Sequence, residues 1–407
     1  MVKKREIYNS PIIRDNKVKF VYKNDNAEKV KIVGNWLNWQ PEIELFKNGD
    51  SLWTSNIIEF SNNRRYEYKF LINDNIYITD PVNFQRGKNE TGEISLLFVW
   101  ENPKDFEKNL ERINNELLQF SPQSHQFKRR DDILRELDYY FQQPTINRSV
   151  LLNQFFEKRI NIALSEIEEV KIKDGIRIWH LYNDGFIVKT PQTIFGIDVV
   201  STRCIWGLGW EISDDTLNKI TDLLDFLLIT HPHSDHSDEE IVQLMLDKNK
   251  LVFVSPENAV LYDKRISSFT YNKRFEIKKQ TIIPYKGTHV YDNGRNINIA
   301  YYQVWTDTGI NILHTGDHDF TKSLNYEKEI DCLITRLTGV NNEFSMTYFF
   351  SLFSKYEPKL LLPGHIIELA HYPGGGRSSY SQILDNIKAY NLFLVLLMWG
   401  ESYHIIL

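Results

Sequence analysis

Residues 227–236 read Leu227-Leu228-Ile229-Thr230-His231-Pro232-His233-Ser234-Asp235-His236, and the rest of the chain is best read outward from them. An apolar run (Leu227 to Thr230) reads as a buried strand that leads straight into three imidazoles and one carboxylate within six positions. Imidazole and carboxylate together suit zinc, iron or manganese. A loop that follows a strand can splay such side chains around one point while the sheet holds the backbone. A polar surface loop is the plain alternative, but it explains neither this density of ligand types nor the similar residues downstream. The next segment, Asp238 to Leu246, opens on acidic residues and carries apolar residues at helical spacing, so a helix is expected there.

The downstream residues sit at further strand-to-loop transitions. Thr315-Gly316-Asp317 follows the strand-like run Ile310 to His314, and the glycine lets the backbone turn and present Asp317. Pro363-Gly364-His365 follows Leu360 to Leu362 in the same manner, and His289 follows a Gly-Thr pair. Other expected strands are Ile176 to Trp179, Phe186 to Lys189, Thr193 to Val199, Leu251 to Ser255 and Ile297 to Trp305.

Upstream the texture differs. Residues 1–101 hold short β-branched and aromatic runs (Val18 to Tyr22, Val30 to Val33, Leu52 to Ile57, Tyr66 to Ile72, Ile94 to Val99). Turns such as Asn48-Gly49-Asp50 and Asn73-Asp74-Asn75 punctuate them. That spacing predicts a β-sandwich of immunoglobulin-like size. Residues 102–172 show helical periodicity, with Ser121-Pro122 and Pro144 dividing it into about three helices. A structural connector is the first expectation for them, and a lid over the metal site the second.

Composition sets further bounds. A formal charge of −6 over 407 residues gives no electrostatic footprint for nucleic acid. Two cysteines, Cys204 and Cys332, make neither a disulfide framework nor a Cys-x-x-Cys zinc pattern, which fits a reducing compartment. The basic N-terminus lacks the apolar run of a signal peptide. The stretch Leu392 to Trp399 is far shorter than the ~20 residues of a membrane span. The expectation is a cytoplasmic protein with no membrane partner.

The His-x-His-x-Asp-His run, the later Gly-Asp and the late His resemble the metallo-β-lactamase fold, an αββα sandwich of metal hydrolases, over residues 173–407. The segment Asn183-Asp184-Gly185-Phe186 to Gly196-Ile197-Asp198 is similar to the opening hairpin of that fold. The resemblance implies that His231, His233 and His289 hold one metal, that Asp235, His236 and His365 hold a second, and that Asp317 bridges them. Asp235 and Asp317 would be the catalytic carboxylates, and the cofactor two divalent ions, zinc first with manganese or iron as alternatives. His233 stands where oxygen-reducing relatives carry Glu, which favours hydrolysis of an ester, lactone, amide or phosphodiester in a small-molecule substrate. The nuclease-type domain inserted between the bridging Asp and the late His is absent. His318, His371 and Arg377 are substrate-contact candidates, whereas His314 is expected to point into its sheet. Alternatives are an iron-dependent dioxygenase on the same ligands and a carbohydrate-anchored scaffold with a vestigial site.

Residues 18–99 resemble the family-48 carbohydrate-binding modules and the glycogen-binding domain of the AMP-activated kinase β subunit. The segments that carry this are Val30-Lys31-Ile32-Val33-Gly34-Asn35-Trp36-Leu37-Asn38-Trp39, Tyr66-Glu67-Tyr68-Lys69-Phe70 and Asp80-Pro81. The resemblance implies that Trp39 and Tyr77 stack on sugar rings of an α-glucan such as glycogen while Lys69 binds hydroxyls. A sandwich that packs on the catalytic domain or joins a homo-oligomer is the structural alternative. The family's asparagine before the last strand is replaced by Thr91-Gly92-Glu93.

Overall fold

The computed structural model describes residues 10–406, apart from 15, 50, 62–63, 84–85, 90–91, 100–102, 124–126, 142–145, 202–211, 262, 291–295, 321, 338–345, 368–371 and 374–375. Cys204 and His371 lie outside the described residues, as does the side chain of Arg377. The chain forms two compact units, Met1–Glu111 with His371–Gly375, and Arg112–Ala370 with Gly376–Leu407.

The first unit is built from short strands. Strand Arg64–Ile72 is central to its largest sheet, pairing with Val30–Gly34 on one side and with Gly92–Val99 and Ile76–Ile78 on the other. Alternation along the central strand turns Tyr66, Tyr68, Phe70 and Ile72 into a core shared with Val18, Tyr22 and Trp53 from smaller sheets and with Phe20 between two of their strands. That is the period-2 pattern of a strand with one face on a core. Aromatic rings fill it: Phe20 meets Tyr68 edge-on at 4.9 Å, and Trp36 meets Phe60 at the same distance. The Asp80-Pro81 segment has a structural task here, because the Asp80 carboxylate accepts the Tyr68 hydroxyl at 2.8 Å.

The second unit contains two large mixed sheets. The first runs, in order, Ser267–Ser268, Leu251–Val254, Phe226–Leu228, Ile194–Ile197, Phe186–Lys189, Ile176–His180 and Ser402–Ile405. The second runs Phe275–Ile277, Gln280–Val290, Asn296–Trp305, Asn311–His314, Cys332–Arg336 and Leu360–Gly364. One apolar core takes Ile178, Phe186, Phe195 and Leu228 from the first and Ile282, Tyr302, Ile312, Ile334 and Leu362 from the second. Each such side chain brings roughly 1.5–3 kcal/mol on burial, so this layer is the main store of stability in the unit. Parallel pairing in the middle of the first sheet explains why Phe226, Leu227 and Leu228 form an unbroken apolar run: the strand is covered on both faces.

Helices Phe127–Phe141 and Ile146–Glu169 belong to this unit. Arg130 donates to the Leu396 carbonyl at 2.8 Å and pairs with Glu401, and Arg159 donates to the Trp399 carbonyl at 3.0 Å. Asn161 reaches Thr216 on helix Asp214–Leu223. No described helix is long and apolar enough to cross a membrane.

Several strands had no forecast in the sequence, Gln280–Val290 and Cys332–Arg336 among them. Gln280–Val290 contains Pro284 and Gly287, residue types that weaken a strand, yet it is the longest strand of its sheet. Its partner on one side, Phe275–Ile277, covers only Gln280 to Ile282, so Pro284 sits where no ladder bond is required on that side. Gly287 is needed for close packing, since a Cβ there would lie 2.8 Å from His318 Nδ1. Strand Cys332–Arg336 is another, and its Cys332 is a buried thiol.

Candidate metal centre

The ligand loops leave the carboxyl ends of strands from both sheets. After Phe226–Leu228 the chain turns tightly, with the His236 and Ser237 amides donating to the His233 carbonyl at 2.9 and 2.8 Å. Asp238 then caps helix Glu239–Asp247 by accepting the Glu240 and Ile241 amides. From the second sheet come His289, one residue from the end of its strand, Asp317 just beyond Asn311–His314, and His365 just beyond Leu360–Gly364. Gly316 has φ +50°, and a Cβ there would meet Thr230 at 2.9 Å, so the turn that presents Asp317 requires glycine. His365 itself takes φ +56° and is tied by its amide to the Asn183 carbonyl at 2.9 Å.

The hydrogen bonds behind the ligands fix the imidazole tautomers. Asp198, fully buried, accepts the Thr230 amide at 2.7 Å, the Thr230 hydroxyl at 2.5 Å and Nδ1–H of His236 at 2.8 Å. Because the Thr230 hydroxyl proton points at Asp198, its oxygen is left to accept Nδ1–H of His231 at 3.0 Å. Nε2 of His231 therefore carries its lone pair inward, 3.0 Å from Nδ1 of His233. Burial holds the His231 pKa well below its usual value and lowers that of His233, so both stay neutral, the form that binds metal.

All seven expected ligands converge, in two groups. His231, His233, His289 and Asp317 form one, with ligand atoms within 4.8 Å of one another; Asp235, His236 and His365 form the other under the same bound. Asp317 faces both: Oδ2 lies 3.4 Å from His289 Nε2, while Oδ1 lies 3.6 Å from His236 Nε2 and 3.5 Å from His365 Nε2. Asp235 Oδ2 lies 3.4 Å from His236 Nε2 and 3.2 Å from His365 Nε2. Apart from the 3.2 Å His365–Asp235 contact these separations are long for hydrogen bonds, and His236 Nε2 and Asp317 Oδ1 make none although buried. They do match the edge of a tetrahedron of ~2.0–2.1 Å metal bonds, about 3.3 Å. The donor set and its spacing fit divalent transition metals.

The charges are mutually dependent. Burial alone would raise both carboxyl pKa values, but the neighbouring histidines hold Asp235 and Asp317 well below the carboxylate range. Conversely, burial would lower His365, yet Asp317 and Asp235 push it up to about 10. Burial takes His289 down to about 4.

Other candidates fall elsewhere. His318 is buried beside Tyr301 and Phe320, its Nε2 donating to the Lys322 carbonyl at 3.3 Å, and it belongs to neither ligand group. His314 accepts the Gly316 amide at Nδ1 and donates from Nε2 to the Asp184 carbonyl at 3.0 Å, within the sheet layer. It forms a further His/Asp group with Asp184 and Asp198, whose Asp198 and His314 atoms are already engaged by the chain. Burial raises the Asp184 pKa, so that carboxyl is held towards its neutral form. Sequence reasoning missed Asp198 and Thr230 as supports, along with Asn183, which donates to Asp235 Oδ2 at 3.0 Å. It also missed Arg336, whose Nη1 lies 3.9 Å from Asp317 Oδ2. The one available signal was that Asp198 ends an apolar strand, where a solvent-facing carboxylate is not expected.

Two facing mixed sheets with a histidine–aspartate cluster at their carboxyl edge define a candidate metal-binding protein. No family model matches the sequence, and no curated protein matches it. Solved structures are similar to part of the chain. A metallo hydrolase from the hyperthermophilic archaeon Ignicoccus hospitalis is 13% identical, covering 56% of this chain and 99% of its own, with a TM-score of 0.43. A metallo-β-lactamase-fold protein from Bacillus subtilis is 12% identical over 57% of this chain and 100% of its own, at 0.40. An isothiocyanate hydrolase from Delia radicum gut bacteria is 14% identical over 56% and 99%, at 0.44.

Proposed function

We propose that the second unit is a binuclear metal-dependent hydrolase of the metallo-β-lactamase type. The observation that carries this is the two-sided presentation of Asp317, with one carboxylate oxygen turned to each ligand group. Two bound cations of this kind supply a hydroxide near neutral pH and polarise a scissile carbonyl or phosphoryl group. The chain's part is to hold them: His231, His233 and His289 on one side, Asp235, His236 and His365 on the other, with Asp198 and Thr230 fixing the ring orientations. No serine or cysteine nucleophile is required. Zinc is the first choice of metal for three imidazoles and a carboxylate.

The test is a screen of zinc-, manganese- and iron-reconstituted protein against lactones, phosphodiesters, esters and amides, with chelator controls and elemental analysis. Asp317→Asn should lower hydrolysis roughly 10²–10³-fold with the fold intact, because it removes charge stabilisation at the reacting centre. Hydrolysis within a few-fold of wild type in that variant, or a single iron per chain with oxygen consumption in place of hydrolysis, overturns the reading.

For the first unit, the proposal is an immunoglobulin-like module that holds an α-glucan near the enzyme. Tyr77 is 56% exposed and Trp39 partly buried, which leaves ring surface for stacking on sugar. Lys69 is only 8% exposed, so any hydroxyl contact from it would be at the margin of the surface.

A further inference from the structure

Arg336 ends strand Cys332–Arg336, and the ligand-bearing strands flank it on both sides. Ile334 pairs with His314, three residues before Asp317, and Arg336 itself pairs with Gly364, next to His365. The guanidinium is thus set at the carboxyl edge of parallel strands, where ligands enter α/β sheets. It is 7% exposed. Nη2 donates to the His318 carbonyl at 3.2 Å, and Nε is buried without a hydrogen bond. Among the described residues its one carboxylate within 4.0 Å is Asp317, at 3.9 Å, which is beyond hydrogen-bond reach.

A buried charge needs a counter-charge, and a buried donor needs an acceptor. Asp317 is a poor counter-ion for Arg336, because under the reading proposed above its charge is directed to two cations. The other described residues then leave the guanidinium beside a cationic centre with no further carboxylate within 4.0 Å. An oxyanion that offers two oxygens meets both needs at once, since the planar fork of Arg matches carboxylate and phosphate oxygens.

We propose that Arg336 is a substrate-binding residue, and that the site takes substrates bearing an oxyanionic group, a phosphate ester or a carboxylate, which Arg336 grips beside the scissile bond. The inference rests on the metal reading and is tested apart from it. Metal-loaded protein, its occupancy fixed by elemental analysis, is titrated calorimetrically with inorganic phosphate and, in a second arm, with acetate; the tighter anion identifies the group. Wild type should bind one of them. Arg336→Gln should bind it at least tenfold more weakly at the same metal occupancy and thermal midpoint, and Arg336→Lys should recover part of the loss as a point charge.

Wild-type affinity in Arg336→Gln overturns the proposal. So does loss of metal together with anion binding in Arg336→Gln and Arg336→Lys alike, which would make Arg336 a support for Asp317 only. Metal-loaded wild type that binds neither anion also overturns it while leaving the metal centre standing. Wild type that takes up no metal overturns both readings.

Discussion

Asp198 Oδ2 lies 2.8 Å from Nδ1 of His236, and the same oxygen accepts the Thr230 hydroxyl that orients His231. One buried carboxylate therefore sets the inward lone pairs of two candidate ligands, one in each group. Asp198→Asn keeps the shape but offers an amide N–H to at least one of these donors. Zinc affinity, measured by competition with a chromogenic chelator, should fall roughly 10–100-fold. Unchanged affinity would mean that the rings are oriented by something other than Asp198.

Loss of a ligand should act more strongly than loss of its support. His233→Ala and Asp235→Ala each leave one group incomplete, and elemental analysis should show metal lost from both variants. Chelator should also lower the thermal midpoint of the wild type, because a ligand at ~1,000 times its Kd stabilises the folded state by about 4 kcal/mol. Full occupancy in both variants would remove His233 and Asp235 from the ligand set.

Away from the centre, Asp138 accepts the backbone amides of Tyr380 and Ser381 at 2.9 and 2.6 Å, anchoring the start of helix Tyr380–Ile387. Burial raises its pKa from 3.8 to about 6, against those hydrogen bonds. Between these values the folded state binds the extra proton, so stability should decline as pH rises from about 4 to about 6, by at most ~1.4 kcal/mol per pH unit. Denaturant midpoints across that window check it, with Asp138→Asn as the variant that lacks the slope. An equal slope in both proteins would assign it to other groups.

Sugar binding by the first unit makes a separate forecast. Trp39→Ala should abolish retardation on glycogen in native affinity electrophoresis without moving the thermal midpoint. Two rings at ~0.5–1.5 kcal/mol each beyond area burial give only modest affinity. Absence of retardation in the wild type at millimolar sugar equivalents would leave a structural module. A lower midpoint for Trp39→Ala with no effect on sugar would make the indole a packing residue.

Legibility in the sequence followed how local the cause was. The run 231–236 and the turns at Asp317 and His365 could be read because each sits directly after an apolar strand, and the structure gathers these residues within two ligand groups. Helix Glu239–Asp247 was legible from its cap and spacing. Strand Gln280–Val290 was not, because its Pro284 and Gly287 are explained only by a short neighbouring strand and by the ring of His318. Asp198, Thr230 and Arg336 stayed hidden for a related reason. Their roles depend on partners far along the chain: 32 positions separate Asp198 from Thr230 and 38 separate it from His236.

The two ligand groups do not divide along the sheets. The loop at 231–236 follows a strand of the first sheet and feeds both groups, while His289, Asp317 and His365, all from the second, do the same. A cation in either position would thus act as a rivet through both layers, in place of reinforcing one. Opening either sheet would mean breaking coordination, so loading should merge their fluctuations into a single cooperative event. Amide hydrogen exchange should then slow together in Phe226–Leu228 and Asn311–His314 when metal is added, although no backbone bond joins those two strands.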